Sequence, residues 1–454
     1  MKMLLPDDVK NIIKTLQNNG HEAYAVGGCV RDLYLGKTPA DWDITTSASP
    51  NQVKALFDHT IDTGIEHGTV TVMLKGCGYE VTTYRIDGEY VDGRHPKQVV
   101  FTSMLSEDLR RRDFTINAMA YNDTEGLVDL FQGQKDLEEK IIRCVGNPRE
   151  RFSEDALRML RALRFSAQLD FEIEENTYEA ICQLAPTIEK VSKERIMVEL
   201  NKLLVSDHPE RMRQVYETGL TKVFLPEFDE MMHTPQHNKH HCYSVGEHTL
   251  HTLSHVAPEK ILRLTMLLHD IGKPATKTTD EQGQDHFYRH QEVGAEMAAT
   301  ILRRLKYDND TIATVKRFVR YHDERPDTNE RAVRRAVVRM GVSCFPDIFQ
   351  IKRADVLAQS DYMRREKLEK IDGFEKIYYE ILAKNQCVQK KDLAVTGRDI
   401  LALGVPQGSQ VGDLLEVLFQ TVVENPEKNQ KEILLPMAEK LLLTGEIPQR
   451  KTKE

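Results

Sequence analysis

A chain of 454 residues is longer than one ordinary hydrophobic core serves, and 40% hydrophobic with 29% charged residues excludes a disordered or fibrous protein. A net charge of −9 excludes nucleic-acid binding through a general positive field, so any RNA contact has to be local. The seven cysteines are scattered without a Cys-x-x-Cys pair, which argues against a disulfide framework or a zinc ribbon, and Leu4-Leu5 is cut off at once by Pro6-Asp7-Asp8, so neither a signal peptide nor a membrane span is expected and the chain reads as cytoplasmic.

The first 140 or so residues alternate strand-like runs with Gly, Asp and Asn turns: Ala23–Val26, Thr69–Leu74, Glu80–Arg85 and Val99–Phe101. From about Pro148 the apolar residues recur at helical spacing, as in Ala156, Leu157, Leu160, Leu163 and in Ile196, Leu200, Leu203, Leu204. The predicted class is α+β, a mixed sheet with helices followed by an almost wholly helical remainder. Breaks are expected near Gly146-Asn147-Pro148, near Pro226 with the His-rich loop 234–242, and near 384–391. Basic stretches fall at Arg143, Arg149, Arg151, Arg158, Arg161 and Arg164, and at Arg331, Arg334, Arg335 and Arg339. Each is either a local RNA contact or a solvated helix face.

Val26-Gly27-Gly28-Cys29-Val30-Arg31-Asp32 sets two glycines between a strand and a helix, where backbone amides can approach a triphosphate. Asp41-Trp42-Asp43 follows, and on a strand residues i and i+2 share a face, so Asp41 and Asp43 can grip the same Mg²⁺ ions. Asp155 and Arg158 stand three apart on a predicted helix and so share a face, either as an ordinary surface ion pair or as a reading edge. A carboxylate acceptor beside a guanidinium donor fits cytosine and adenine alike.

These motifs, together with Glu80-Val81-Thr82-Thr83-Tyr84-Arg85, Arg111-Arg112-Asp113-Phe114-Thr115-Ile116-Asn117-Ala118, Glu154-Asp155-x-x-Arg158 and Lys193-Glu194-Arg195-Ile196, occur in a fixed order. The set resembles the polymerase-β-like nucleotidyltransferases, specifically the class II tRNA nucleotidyltransferases and the related bacterial poly(A) polymerases. The resemblance implies a head (1–146) with Mg²⁺ at Asp41 and Asp43 and a helical neck and body (147–232) with a base pocket. It implies nucleotide binding by Gly28, Arg31, Arg112, Asp113, Asn117, Asp155, Arg158, Arg161 and Arg164, with CTP, ATP and tRNA lacking or damaged at its 3′ CCA as partners. Arg111 and Arg112 are expected on phosphates, and Asp113 on Arg158 or on ribose. Glu80 is a candidate third carboxylate or a structural partner of an arginine. The segment Asp87 to His95 resembles the loop that switches addition from C to A, which favours full CCA addition over a CC-only enzyme. Poly(A) polymerase is the nearest alternative, but the basic Gly-[Arg/Lys]-[Arg/Lys]-Phe element of that branch is missing around Ile61–Val72.

Histidines crowd the middle of the chain. His248, His269-Asp270 and Asp355 stand in the order of the HD phosphohydrolases, with His290 and His322 resembling the extra ligands of two-metal members. An HD domain is therefore expected over 233–365, holding Mg²⁺, manganese, nickel, cobalt or iron and directing metal-activated water at phosphorus. In HD-bearing relatives this implies phosphodiesterase action on 2′,3′-cyclic phosphates or phosphatase action. The tail, 366–454, carries Gly397-Arg398-Asp399-Ile400 and Gly408-x-x-Val411-Gly412, read as short helices around a glycine turn that either contact tRNA or form a plain hairpin. A reading from another class is a nucleotide-sensing or RNA-binding regulator in which only HD hydrolysis survives, although both metal carboxylates of the head are retained.

Overall fold

The computed structural model describes residues 3–87 and 99–444. The segment singled out between Asp87 and His95 lies outside the described residues, apart from the backbone of Asp87. The chain forms two compact units, Met1–Glu230 with Arg303–Tyr307, and Met231–Leu302 with Asp308–Glu454.

The first unit opens with α1 (Asp7–Asn18), whose Val9, Ile12, Ile13 and Leu16 fall on one buried face, as helical periodicity requires. The strands β1 (Ala23–Val26), β2 (Asp43–Thr46), β3 (Thr60–Gly64), β4 (Thr69–Leu74) and β5 (Cys77–Thr83) follow, with α2 (Gly28–Tyr34) and α3 (Pro50–Leu56) between them. A small antiparallel ribbon, β6 (Arg85–Asp87) with β7 (Val99–Phe101), precedes α4 (Leu105–Arg110). Strands β8 (Met119–Asn122) and β9 (Gly126–Asp129), then α5 (Gly133–Glu138), complete the region. Seven strands form one sheet in the order β3-β4-β5-β2-β1-β8-β9. Its central strand β2 is buried except at Asp43, and the neighbouring β1 is wholly buried. Strand β2 pairs in parallel with β5, and this register sets Asp43 opposite Glu80.

Helices then take over, in line with the expected α+β class. Asn147 caps α6 (Pro148–Glu154) through Arg149 N at 3.0 Å, and Pro148 occupies the first turn, where its missing N–H costs nothing. Helices α7 (Leu157–Leu169), α8 (Glu175–Leu184) and α9 (Lys193–Leu204) follow, with Leu160 and Leu163 of α7 and Ile196, Leu200, Leu203 and Leu204 of α9 all buried. Asp155 departs from the helix expected across 155–158. It is extended, with φ −141° and ψ 103°, because its carboxylate turns to cap Leu157 N at 3.0 Å. Among the described residues the second unit is helical apart from one ribbon, Lys277–Thr279 with Asp285–Phe287. No described helix is long and apolar enough to cross a membrane.

Candidate active sites

In the head, Gly27 has φ +84°, a left-handed conformation that glycine adopts without strain, and a side chain there would stand 2.9 Å from Arg112 Nη1. The turn therefore brings open backbone against a guanidinium at the start of α2. Asp43 is the first residue of β2 and Asp41 lies in the bend before it, so the two do not share a strand as expected. The carboxylates are nevertheless close enough to interact. The Asp43 carboxyl sits above the ordinary carboxylate range because of desolvation, with Asp41 and Glu80 pushing it further up and Arg112 opposing. Three acidic side chains against one guanidinium make a donor set suited to a hard divalent cation.

Behind this edge the arginines are organised by ion pairs. Asp113 is buried and accepts from Arg161 Nη2 at 2.6 Å and Nε at 2.8 Å. Burial alone would raise its pKa, but Arg161 holds the carboxyl well below the usual range. The expected partner Arg158 also lowers Asp113 by its charge, but its hydrogen bonds go to Glu154 at 2.5 Å and to the backbone oxygens of Arg151 and Arg111. Asn117 links the cluster by accepting from Arg31 Nη1 at 2.8 Å and donating to Asp113 at 3.3 Å. Arg164 pairs with Glu199 at 2.7 Å and lies 3.8 Å above the Phe165 ring, with Arg31 5.0 Å from the same ring. Burial pulls the Arg164 guanidinium down to about 10. Arg111 turns onto the buried Asp108 at 2.7 Å.

Asp155 and Arg158 do not pair with each other. Arg195 of α9 holds Asp155 at 2.6 Å, while Glu154 holds Arg158, so the acceptor and the donor are fixed by separate supports. The roles of Arg195, Glu154, Glu199 and Phe165 were not assigned from sequence. Glu154 and Phe165 fall in or beside the family block that begins at Glu154, and Arg195 in the block 193–196, whereas Glu199 had no such signal.

In the second unit the residues expected in one place do come together. His248 follows from the helix Val245–Leu253, His269-Asp270 from the end of Lys260–Leu268, His290 from the start of His290–Arg304, His322 from the end of Asn309–Tyr321, and Asp355 from Asp347–Leu357. Two groups, His248, His269 and Asp270, and Asp270, His290 and His322, each place one ligand atom per residue within 4.8 Å of the others. Asp270 belongs to both. Each Nδ1 faces a backbone carbonyl: His269 to Met266 at 2.7 Å, His290 to Phe287 at 2.9 Å, His322 to Val319 at 2.6 Å and His248 to Ala358 at 3.2 Å. That arrangement puts the proton on Nδ1 and turns the Nε2 lone pairs inward. His248 Nε2 is 3.3 Å from His269 Nε2 and 3.0 Å from Asp355 Oδ1, and His290 Nε2 is 3.4 Å from His322 Nε2. Lone pairs so close to one another and to carboxylates repel, and divalent cations between them remove the repulsion. The residues fit two such ions, with Asp270 between.

Lys273 and Lys352 belong to this site although sequence reasoning passed over them. Lys273 binds Asp270 at 2.7 Å, and Lys352 donates to the carbonyls of Tyr321 at 3.1 Å, His322 at 2.8 Å and Glu324. Burial pulls the Lys352 ammonium down to about 7. Gln359 donates to Asp355 at 3.0 Å. The second basic stretch is not an open patch. Arg331 and Arg335 both pair with Glu424, Arg339 pairs with Glu324, and Arg334 is buried and donates to the Val423 carbonyl.

The family model "Poly A polymerase head domain" matches residues 23–143, "Probable RNA and SrmB- binding site of polymerase A" matches 170–232, and "tRNA nucleotidyltransferase domain 2 putative" matches 278–438. The chain is 35% identical to a CCA-adding enzyme of Limosilactobacillus reuteri over 97% of its own length and 98% of that enzyme. It is 48% identical to one from Oceanobacillus iheyensis over 57% of its length and 64% of that enzyme. The solved Bacillus stearothermophilus CCA-adding enzyme, in complex with CTP, is similar with a TM-score of 0.71 at 29% identity, covering 98% of this chain and 99% of that one.

Proposed function

This chain belongs to the family of CCA-adding enzymes, and on that premise we propose that it adds CMP, CMP and AMP from CTP and ATP to the 3′ end of tRNA. The observation that carries the reading is the acidic edge Asp41, Asp43 and Glu80, set beside the open Gly27 turn and Arg112. In this reading residues 1–146 are the transferase head, 147–232 the neck and body, 233–365 an HD domain and 366–454 a tail. Asp41 and Asp43 hold Mg²⁺, which supplies neutralisation of the triphosphate and activation of the RNA hydroxyl. Gly28 offers backbone to the triphosphate, and Arg112 stands over the phosphates. Arg31, Asn117, Asp113, Arg161 and Arg164 form a braced wall that fixes the nucleotide, and Asp155 and Arg158 read the base edge. The test is incubation of tRNA lacking CCA with labelled CTP and ATP, separately and together. Extension by three nucleotides only when both are present supports the reading, and A-only tails point to a poly(A) polymerase. Asp41→Ala and Asp43→Ala are expected to abolish extension while gel shifts show tRNA still bound.

A second reading rests on the two ligand groups that share Asp270. His248, His269, Asp270 and Asp355 hold one divalent ion, and Asp270, His290 and His322 hold another. Bound metal supplies Lewis acidity for hydrolysis of a phosphate ester. Lys273 fixes the shared carboxylate, and Lys352 fixes the loop that carries His322. His269→Ala and Asp270→Ala are expected to remove metal-stimulated hydrolysis and to spare nucleotide addition. If wild-type protein with several divalent metals hydrolyses no phosphate ester, this reading fails.

A further inference from the structure

The metal-ligand cluster of the second unit lies between two cavities. One, of about 280 Å³, is walled by His241, Asp270, Lys273, His286, Tyr288 and His290. The other, of about 260 Å³, is walled by Val356, Met363, Lys367, Lys370, Ile371 and Phe374. His240, His322, Arg325 and Asp355 line both, so the cavities meet at two of the metal-ligating side chains. Each cavity alone falls just short of the roughly 300–1,000 Å³ of ordinary ligand sites, whereas the pair reaches that range.

Their walls differ in chemistry. In the first, Tyr288 is 70% exposed and lies parallel to the His286 ring, with centroids 5.3 Å apart and planes 6° apart. An exposed aromatic face such as that of Tyr288, braced by the half-buried His286, is the platform on which single-stranded bases settle. In the second, Val356, Met363, Ile371 and Phe374 form an apolar part of the wall where a base can lie, and Lys367 and Lys370, interspersed with Glu324, Asp327 and Glu366, line the rest, where the lysines can meet a flanking phosphate. Arg325 lies on the shared wall, tethered to Asp323 at 2.6 Å and with 58% of its side chain exposed. Its guanidinium is thus available where a phosphate joining the two occupants would pass.

We infer that the histidine–aspartate centre takes an open-chain phosphodiester carrying a separate nucleoside on each side, one in each cavity. A phosphomonoester or a cyclic phosphate has one organic group and leaves one cavity empty. Hydrolysis balances with water alone: water adds at phosphorus, the bond from phosphorus to one nucleoside oxygen breaks, and that oxygen leaves with a proton. The products are a nucleoside monophosphate and a nucleoside. This inference rests on the hydrolase reading of the same centre.

The test uses the full chain with Mn²⁺ and three probes: the dinucleotide CpA, p-nitrophenyl phosphate and 2′,3′-cyclic CMP. The expected result is a higher kcat/KM for CpA than for either single-sided ester. Met363→Trp fills the second cavity from its exposed rim, and Tyr288→Ala removes the platform of the first. Each is expected to lower the CpA-to-p-nitrophenyl-phosphate ratio of kcat/KM by about tenfold or more, the scale on which a pocket discriminates. Preference for either single-sided ester, or an unchanged ratio in both variants, overturns the inference and leaves the hydrolase reading standing. No hydrolysis of any probe overturns both.

Discussion

Asp43, proposed above as a metal ligand, is held in the protein at some cost. Its folded pKa is raised, first by desolvation and then by Asp41 and Glu80, so the folded state binds its proton more tightly than the unfolded state does. Stability from this group therefore falls as pH rises from the ordinary aspartate range through the folded value. Metal-free Asp43→Asn is accordingly expected to melt above wild type at neutral pH, and Mg²⁺ to raise the melting temperature of wild type but scarcely that of the variant. Thermal melts with and without Mg²⁺ check both, and equal Mg²⁺ shifts would remove Asp43 from the ligand set. Asp155 and Arg158 make a second case. Their side chains are held by Arg195 and Glu154 and not by each other, so in the proposed reading each meets the base separately. Bidentate base reading is worth about 1–3 kcal/mol, or about a 5- to 150-fold preference. Asp155→Ala and Arg158→Ala should each lower use of CTP and ATP together and relax rejection of UTP and GTP by an amount on that scale. Because Arg195 fixes the carboxylate, Arg195→Met should loosen selectivity in the same direction but by less. Wild-type selectivity in Asp155→Ala, measured as kcat/KM for all four nucleotides, would reduce these residues to structural ion pairs.

At the level of elements, the Asp113–Arg161 pair ties the short turn after α4 to the middle of α7, and so sets the proposed nucleotide-binding wall against the helical part of the same unit. Arg161 keeps 32% of its side chain exposed, so the pair contributes less than a fully buried one, about 1–3 kcal/mol. Its pH dependence has a definite sign. Asp113 has a depressed folded pKa, so its contribution is complete above the ordinary aspartate value of about 3.9 and is lost as pH falls through the folded value. Asp113→Asn should therefore be less stable than wild type at pH 7, with the gap closing only in strong acid; a gap constant down to about pH 2 would deny the ion pair its role. The same region shows what the sequence could and could not reveal. Strands β1, β4 and β7 were legible residue for residue because alternation and flanking turns are local signals. That six histidines and aspartates of the second unit gather in one place was legible because few residue types could hold a metal there. The break at Asp155 was not, since it depends on a cap to Leu157 and on Arg195, 40 positions away. Nor was the quenching of the basic stretch, since Glu424 lies 93 positions beyond Arg331.

For the molecule as a whole, the charge balance decides how RNA can be held. The chain carries a net charge of −9. Most of the arginines that looked in sequence like RNA contacts are already engaged, Arg331 and Arg335 by Glu424, Arg143 by Asp136 and Arg151 by Glu154. A phosphate taking one of these cations has to displace a carboxylate, so little counterion release accompanies the contact. Affinity for nucleic acid falls with salt as about 0.7–0.9 of a log unit per neutralised phosphate for each log unit of salt. A protein that grips tRNA through a broad positive field gives a slope near −6 to −10 on that scale, whereas three or so local contacts give about −3. We expect the shallower slope for tRNA binding to the full chain, with Arg331→Ala and Arg335→Ala changing it by less than one because those side chains serve Glu424. Filter-binding constants between about 50 and 200 mM salt measure the slope directly. A slope steeper than about −6 would mean that the carboxylates release their arginines on binding, and that the pairs between the helices 330–340 and 409–424 open to make the RNA-binding surface.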